Sequence, residues 1–370
     1  MRNQTPSPPG DTRDRAFFCH KGSAPVKNTE IDIFIVFCNN ISMINLAIDA
    51  MGGDHAPEEV VKGAVLAVKK CDEVMLSLTG IPEVIGPLLK KTTGKDINER
   101  IRIVGASEVI GTGDHPVKSV REKKDSSMMV GMKLVRDGEA KAFVSGGNSG
   151  ALMVGAQVVI GRSSNVSRPP FAHPIPHARG RSLLLDCGAN VDVRPEHILS
   201  FAYLGIDYMK NTMGTMNPTV GLVNIGAEES KGNALTVEAY QLLKEAGDID
   251  FVGNVEPTGI TEGQADILVC DGFTGNMIIK LYEGMGKLFK GILTRTFTAD
   301  AGTKLGALLV RNVLRKEWEP FDAHSYGGAP ILGLNAPVIK VHGNAVADEY
   351  CNAIMQCIEY LKAKGEKHGV

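Results

Sequence analysis

Ile267-Leu-Val-Cys-Asp-Gly-Phe-Thr-Gly-Asn276 joins a short apolar run to an acid and a glycine-rich turn. The run is strand-length, and text of helical spacing follows the turn. The unit recurs along the chain. Ala142-Phe-Val-Ser145 leads into Gly146-Gly-Asn-Ser-Gly150, Leu183-Leu-Leu-Asp186 into Cys187-Gly-Ala-Asn190, and Val220-Gly-Leu-Val-Asn224 into a turn ending at Asn233. Asp49-Ala-Met-Gly-Gly-Asp-His55 and Tyr326-Gly-Gly-Ala-Pro330 have the same wording. Strand alternating with helix predicts an α/β fold, a mostly parallel sheet sandwiched by helices. Ligands in such sheets sit outside the carboxyl ends of the strands. Glycine there lets backbone N–H groups approach an anion, and a helix N-terminus adds favourable partial charge. The layout is an enzyme's, with a cleft suited to an anion.

Outward from these turns, Ile44–Asp49, Val74–Thr79 and Ile101–Val104 read as strands, and 57–69, 82–90 and 119–136 as helices. Arg168-Pro-Pro-Phe-Ala-His-Pro-Ile-Pro-His177 is too proline-rich for a helix or a central strand and is expected to be an ordered connecting loop. Pro174 and Pro176 also deny His173 and His177 the shared helical face that a zinc site would use. Residues 277–318 predict a pair of amphipathic helices broken near 298–302, with apolar Leu281, Leu288, Leu305 and Leu309 among their stripes. Such a pair packs on its own domain or a second subunit, or meets a membrane or an acidic protein.

The net charge of −2 gives no general pull towards nucleic acid. Seven cysteines at irregular spacing make no disulfide framework, which suits a reduced, cytoplasmic protein. No run reaches the roughly 18 apolar residues of a membrane span. Residues 1–42 are proline- and charge-rich and read as a leader, with an edge strand at 31–38 as the alternative, so the folded domain is expected over 43–370.

The chain carries no phosphate-binding P-loop, no dinucleotide G-x-G-x-x-G, no H-E-x-x-H and no G-x-S-x-G. What remains is a polar site of Lys, Asn, Asp, Ser and backbone N–H groups, with no metal and no cofactor expected. Taken singly, each turn is as well explained by structure. Lys231 can be solvated, Asp49 and Asp186 can be helix caps, and His55 an exposed ring. Their shared placement at strand ends carries the functional reading.

The wording of the turns resembles a known family. Asp49-Ala-Met-Gly-Gly-Asp-His-Ala-Pro57, Lys123-Lys-Asp-Ser-Ser127, Asp186-Cys-Gly-Ala-Asn190, Asn224 to Asn233, Phe251-Val-Gly-Asn-Val-Glu256, Cys270 to Asn276 and Tyr326-Gly-Gly-Ala-Pro330 are similar to motifs of the bacterial phosphate acyltransferases of the PlsX type. The match runs in order from about Met43 to the end. The resemblance implies a fold like that of phosphate acetyltransferases and isocitrate-dehydrogenase-type enzymes. It implies transfer of a fatty acyl group from acyl-carrier protein to inorganic phosphate, giving acyl phosphate for phospholipid synthesis. It further implies a homodimer, cytoplasmic but peripheral to the membrane, working beside the membrane-embedded glycerol-3-phosphate acyltransferase. Nucleic acid has no place in it.

Carried onto this chain, the motifs imply Lys231 and Asn276 as catalytic residues. The implied substrate-binding set is Asp49, Gly52, Gly53, Asp54, His55, Lys124, Ser126, Ser145, Gly147, Asn148, Gly150, Asp186, Asn190, Asn224, Glu229, Asn233, Asn254, Asp271, Thr274, Gly327 and Gly328. The tract 277–318 falls at the dimer interface, with Arg311, Arg315 and Lys316 facing the acidic carrier protein. Chemically, backbone N–H groups of Gly52, Gly53, Gly146, Gly147 and Gly150 can hold the phosphate, Lys231 can neutralise phosphate or the departing sulfur, and the Asn276 amide can serve the oxyanion. Direct attack by phosphate is the preferred route, ahead of an acyl-enzyme on Cys187 or Ser149.

Overall fold

The computed structural model describes residues 43–93, 98–318 and 327–365. Two mostly parallel sheets take the place of a single one. The first contains β1 (Ile44–Asp49), β2 (Val74–Gly80), β3 (Ile101–Gly105), β4 (Phe143–Ser145), β10 (Ala329–Ile331) and β11 (Val338–Lys340), in the order β10-β11-β4-β1-β2-β3. The second contains β5 (Ala172–His177), β6 (Gly180–Leu185), β7 (Val220–Val223), β8 (Phe251–Val255) and β9 (Ile267–Val269), in the order β5-β6-β9-β7-β8. Only β10 and β5, each at an edge, pair antiparallel.

The helices are α1 (Glu58–Lys70), α2 (Pro82–Thr92), α3 (Pro116–Glu122), α4 (Ser127–Arg136), α5 (Ser149–Gly155), α6 (Pro195–Tyr208), α7 (Ala234–Glu245), α8 (Pro257–Glu262), α9 (Gly272–Thr298), α10 (Ala301–Trp318) and α11 (Ala347–Gly365). Strand alternation assigns each face its cover. Leu46, Ile48 and Val144 pack among residues of α1 and α11, while Ala47 and Phe143 turn to α4 and α5. In the second sheet Leu183, Leu185, Leu222 and Val269 face α6 and α7, and Leu184, Leu268 and Cys270 face α8 and α9. Each fully buried Leu or Ile contributes about 1.5–3 kcal/mol, so both sheets are fixed by apolar burial on two sides.

Two expectations are corrected. The proline-rich stretch is not a loop throughout, because Ala172–His177 forms β5 along β6. The Phe171 carbonyl accepts the Cys187 N–H at 3.1 Å, so by alternation Pro174 and Pro176 point their missing donors away from β6. The helix read over 119–136 is two helices, because Lys123 to Ser126 turn between α3 and α4. The leader and the 31–38 alternative lie outside the described residues, as does Tyr326. The long helical pair is borne out as α9 and α10, although its apolar stripes lie open: Leu281 is 65%, Leu305 62% and Leu309 80% exposed. Among the described residues no helix is long and apolar enough to cross a membrane.

Candidate active site

Five parallel strands of the first sheet and four of the second end in polar or glycine turns, and two polar centres form there. In the first, β11, β4 and β1 lie side by side, with Lys340 in register with Ser145 and Asp49 following Ile48, the partner of Val144. Three polar side chains thus stand at one level across neighbouring strands. The Ser145 hydroxyl donates to Asp49 Oδ2 at 2.7 Å, and Asp49 Oδ1 accepts the Met51 N–H at 3.2 Å. Burial raises the Asp49 pKa, against hydrogen bonds from Ser127, Ser145 and the Met51 N–H and the charge of Lys340. Lys340 Nζ donates to Gly146 O at 3.2 Å and also to Val341 O. Desolvation lowers its pKa to about 8, despite the nearby carboxylates of Asp49 and Asp54.

The glycines here allow a close approach of two turns. A Cβ on Gly52 would lie 2.8 Å from the Gly147 nitrogen, and one on Gly146 would lie 2.2 Å from the Tyr350 hydroxyl. The two turns pack on each other and on Tyr350, whose hydroxyl donates to Gly52 O at 2.9 Å. The Gly147 N–H is spent on Ser145 Oγ at 3.0 Å, so it is not free for phosphate. Asn148 caps α5 through Ala151 N–H at 2.9 Å, and its amide donates to the carbonyls of Gly111, Thr112 and Asp114. Gly150 is held against Pro116. Both serve the turn's shape.

The second centre lies at the ends of β6, β9, β7 and β8. Asp186 is buried and fully engaged: Oδ1 accepts the N–H groups of Phe171 at 3.0 Å and Ala189 at 3.1 Å, and Oδ2 accepts the Asn190 N–H at 2.7 Å and its amide at 2.9 Å. Burial raises its pKa while these donors pull it down. Asp271 caps α9 through Thr274, accepting its N–H at 2.9 Å and its hydroxyl at 2.7 Å. A Cβ on Gly188 would meet Asn276 at 3.5 Å, so the exposed Asn276 amide stands over the turn after β6.

Asn224 braces the next turn, its amide donating to Lys231 O at 3.0 Å. The Lys231 side chain is exposed. Asn254 donates to Glu228 O at 2.8 Å, and its Oδ1 is buried without a hydrogen-bond partner. Asn233 caps α7 through the Thr236 N–H at 3.0 Å. Glu229 is taken up by Lys244 at 2.6 Å, which holds its pKa low.

The structure therefore gathers Asp49, Gly52, Gly53, Ser145 and Gly147 at one centre, and Asp186, Asn190, Asp271, Thr274 and Asn276 at another, with Asn224 and Lys231 in the turn after β7 and Asn254 on β8 beside it. Others fall away from these centres. Ser126 is buried and bonds its own turn at Lys123 O, Lys124 is exposed, and Gly327 packs on α11, whereas Gly328 packs on the Lys340 backbone beside the first centre. Asp54 and His55 are exposed at the first centre's rim. On α10, Arg311 and Arg315 sit one turn apart, whereas Lys316 follows Val313 by three and joins the apolar row.

Helix α9 connects the centres. It starts at Asp271, and its Lys280 and Glu283 reach the first sheet: Glu283 lies 3.7 Å from His342 Nε2, and the charge of Lys280 is felt at Lys340. The His173 ring enters the same group. Its Nδ1 bonds Pro174 O at 2.8 Å, and desolvation lowers its pKa. Lys340, Lys280, Glu283 and His342 were missed by motif reading. Val338-Ile-Lys-Val-His-Gly343 repeats the apolar-run, polar, glycine pattern and was the signal available. Cys187 is a poor nucleophile, since burial holds its thiol pKa well above the usual thiol range. Among the described residues no cluster suited to a metal ion is found.

The chain matches the model of the family described as "Fatty acid synthesis protein" over residues 44–367. It is 46% identical over 320 residues to a phosphate acyltransferase of Clostridium acetobutylicum, covering 86% of this chain and 96% of that protein. A phosphate acyltransferase of Alkaliphilus oremlandii is 45% identical over 326 residues, covering 88% of this chain and 96% of its own length. Among solved structures, a phosphotransacetylase from Streptococcus pyogenes matches with TM-score 0.59 at 18% identity, over 90% of this chain and 99% of that one. The fold is thus that of the phosphotransacetylases.

Proposed function

Because the chain belongs to the fatty acid synthesis protein family and is an acyltransferase that moves an acyl group to phosphate, we propose that its donor is a fatty acyl thioester of acyl-carrier protein. The product would be acyl phosphate, passed to a glycerol-3-phosphate acyltransferase in the membrane. The observation that carries the reading is the pairing of two polar centres by one helix, with exposed Asn276 and Lys231 beside the second. We place the domain that does this over residues 43–370, a reading that the family match over 44–367 supports.

In the proposed mechanism phosphate attacks the thioester carbonyl directly. Asn276 donates to the developing oxyanion, and Lys231 neutralises the departing thiolate as a compact point charge. Phosphate is itself a competent nucleophile, so no acyl-enzyme is required, and the raised Cys187 pKa supports the direct route. A comparison of donors tests the substrate: kcat/KM for acyl-carrier protein should exceed that for the same acyl group on coenzyme A. Equal values would remove the carrier protein from the reading.

The α9–α10 pair suits a homodimer seam and a membrane-peripheral, cytoplasmic enzyme, since its apolar rows are exposed in one chain. Leu309 is 80% exposed, so Leu309→Asp should leave the melting temperature of the single chain unchanged. In a dimer it would bury an unpaired charge, and sedimentation velocity should show dissociation. Arg311→Glu with Arg315→Glu should spare the dimer and raise KM for the carrier protein at low salt. An unchanged KM there would place carrier docking elsewhere.

A further inference from the structure

We propose that Lys340 and Lys280 together form the seat of the phosphate, an inference that rests on the acyl-to-phosphate reading of the site. The first centre needs a cation. Its Gly147 N–H is committed to Ser145, so that donor is not available to an anion. Lys340 ends β11 at the level of Ser145 and beside the turns after β4 and β1. Two of its donors are taken by the carbonyl oxygens of Gly146 and Val341, which aims the head group and leaves the third donor of an ammonium.

Lys280 arrives on α9 beside the turn after β11, because Glu283 bridges Lys280 Nζ, at 3.2 Å, and His342 Nε2, at 3.7 Å, two residues past Lys340. Two ammonium groups that share one anion have their mutual repulsion offset by the dianion's charge. Glu283, 3.2 Å from Lys280 Nζ, orients the Lys280 side chain. Lys280 also follows Asn276 by four residues, so both lie on one helix face, about 6 Å apart along the axis. Phosphate held by Lys280 and Lys340 would therefore lie beside a thioester carbonyl held by Asn276. Nucleophile and electrophile are set next to each other by one turn of one helix.

The test is steady-state kinetics with inorganic phosphate and acyl-carrier protein varied separately. Lys340→Met should raise the phosphate KM about tenfold or more while leaving the acyl-donor KM within about twofold, the scale of one lost charged hydrogen bond. Lys340→Arg should recover part of that loss. Lys280→Ala, on an exposed helix face, should raise the phosphate KM in the same selective way even if Lys340→Met fails to fold. Calorimetric titration with inorganic phosphate should show the same ranking. A phosphate KM unchanged in Lys280→Ala, or both KM values moved equally in a folded Lys340→Met, would overturn the seat while wild-type turnover kept the functional reading intact. No acyl phosphate from the wild type would instead sink that reading itself.

Discussion

Lys231→Ala and Asn276→Ala are each expected to melt like the parent protein and to lose about 10²–10³-fold in kcat, the typical effect of removing one oxyanion donor or its equivalent. The structure explains why folding should be spared. Lys231 contributes to its turn through its carbonyl oxygen, which accepts from Asn224 at 3.0 Å, and that bond survives truncation of the side chain. Its ammonium is exposed, and its stem lies over Gly226. Asn276 is exposed within α9, where alanine is a better helix former than asparagine. Turnover by acyl phosphate release, measured beside thermal melting, checks both halves. Near-normal kcat in both variants would remove these residues from the chemistry.

Gly275→Ala should do the reverse, destabilising the protein and losing activity with it. Its Cβ would lie 1.9 Å from the Asp186 carbonyl oxygen, and backbone cannot move aside as a flexible side chain can. Overpacking of this kind typically costs about 1–3 kcal/mol and shifts the backbone. The shift would fall between the first turn of α9 and the turn after β6, which together place Asn276 over Gly188. The expected result is a melting temperature lowered by several degrees and a kcat loss larger than the loss of folded protein accounts for. An alanine variant with parental stability would show that the contact yields easily.

Much of this fold was legible because apolar runs of strand length ended in capping residues. Asp271, Thr274 and the glycines between them read as a helix start, and Asp271 does cap α9. The division into two sheets was not legible, since each strand's text is the same whichever sheet it joins. Pro174 and Pro176 exclude a central strand, but an edge strand with its missing donors pointing outward admits them. The glycines at 52, 146 and 147 were visible as a turn signal. Their reason, two turns packed on each other and on Tyr350 from the far end of the chain, is a tertiary contact that no local pattern encodes.

The site was legible to a similar depth. Motif wording located Asp186, Asn190, Asp271 and Asn276, and the structure brings these together at one set of strand ends. It also shows Asp186 and Asp271 spending their oxygens on turns and caps, so their part is to hold shape. Lys340 is not legible locally because β11 reaches β4 across about half of the chain, and its neighbours Asp49 and Gly146 are distant in sequence. A lysine at the end of a three-residue strand becomes informative only when the strands beside it are known.

The most direct measurement mixes the purified protein with acyl-carrier protein carrying a fatty acyl group and with inorganic phosphate, and follows acyl phosphate together with free carrier thiol. The account expects the two products to appear in equal amounts, at a rate that saturates with phosphate, and to be absent when phosphate is left out. Thiol release that does not depend on phosphate, or thiol without acyl phosphate, would contradict it.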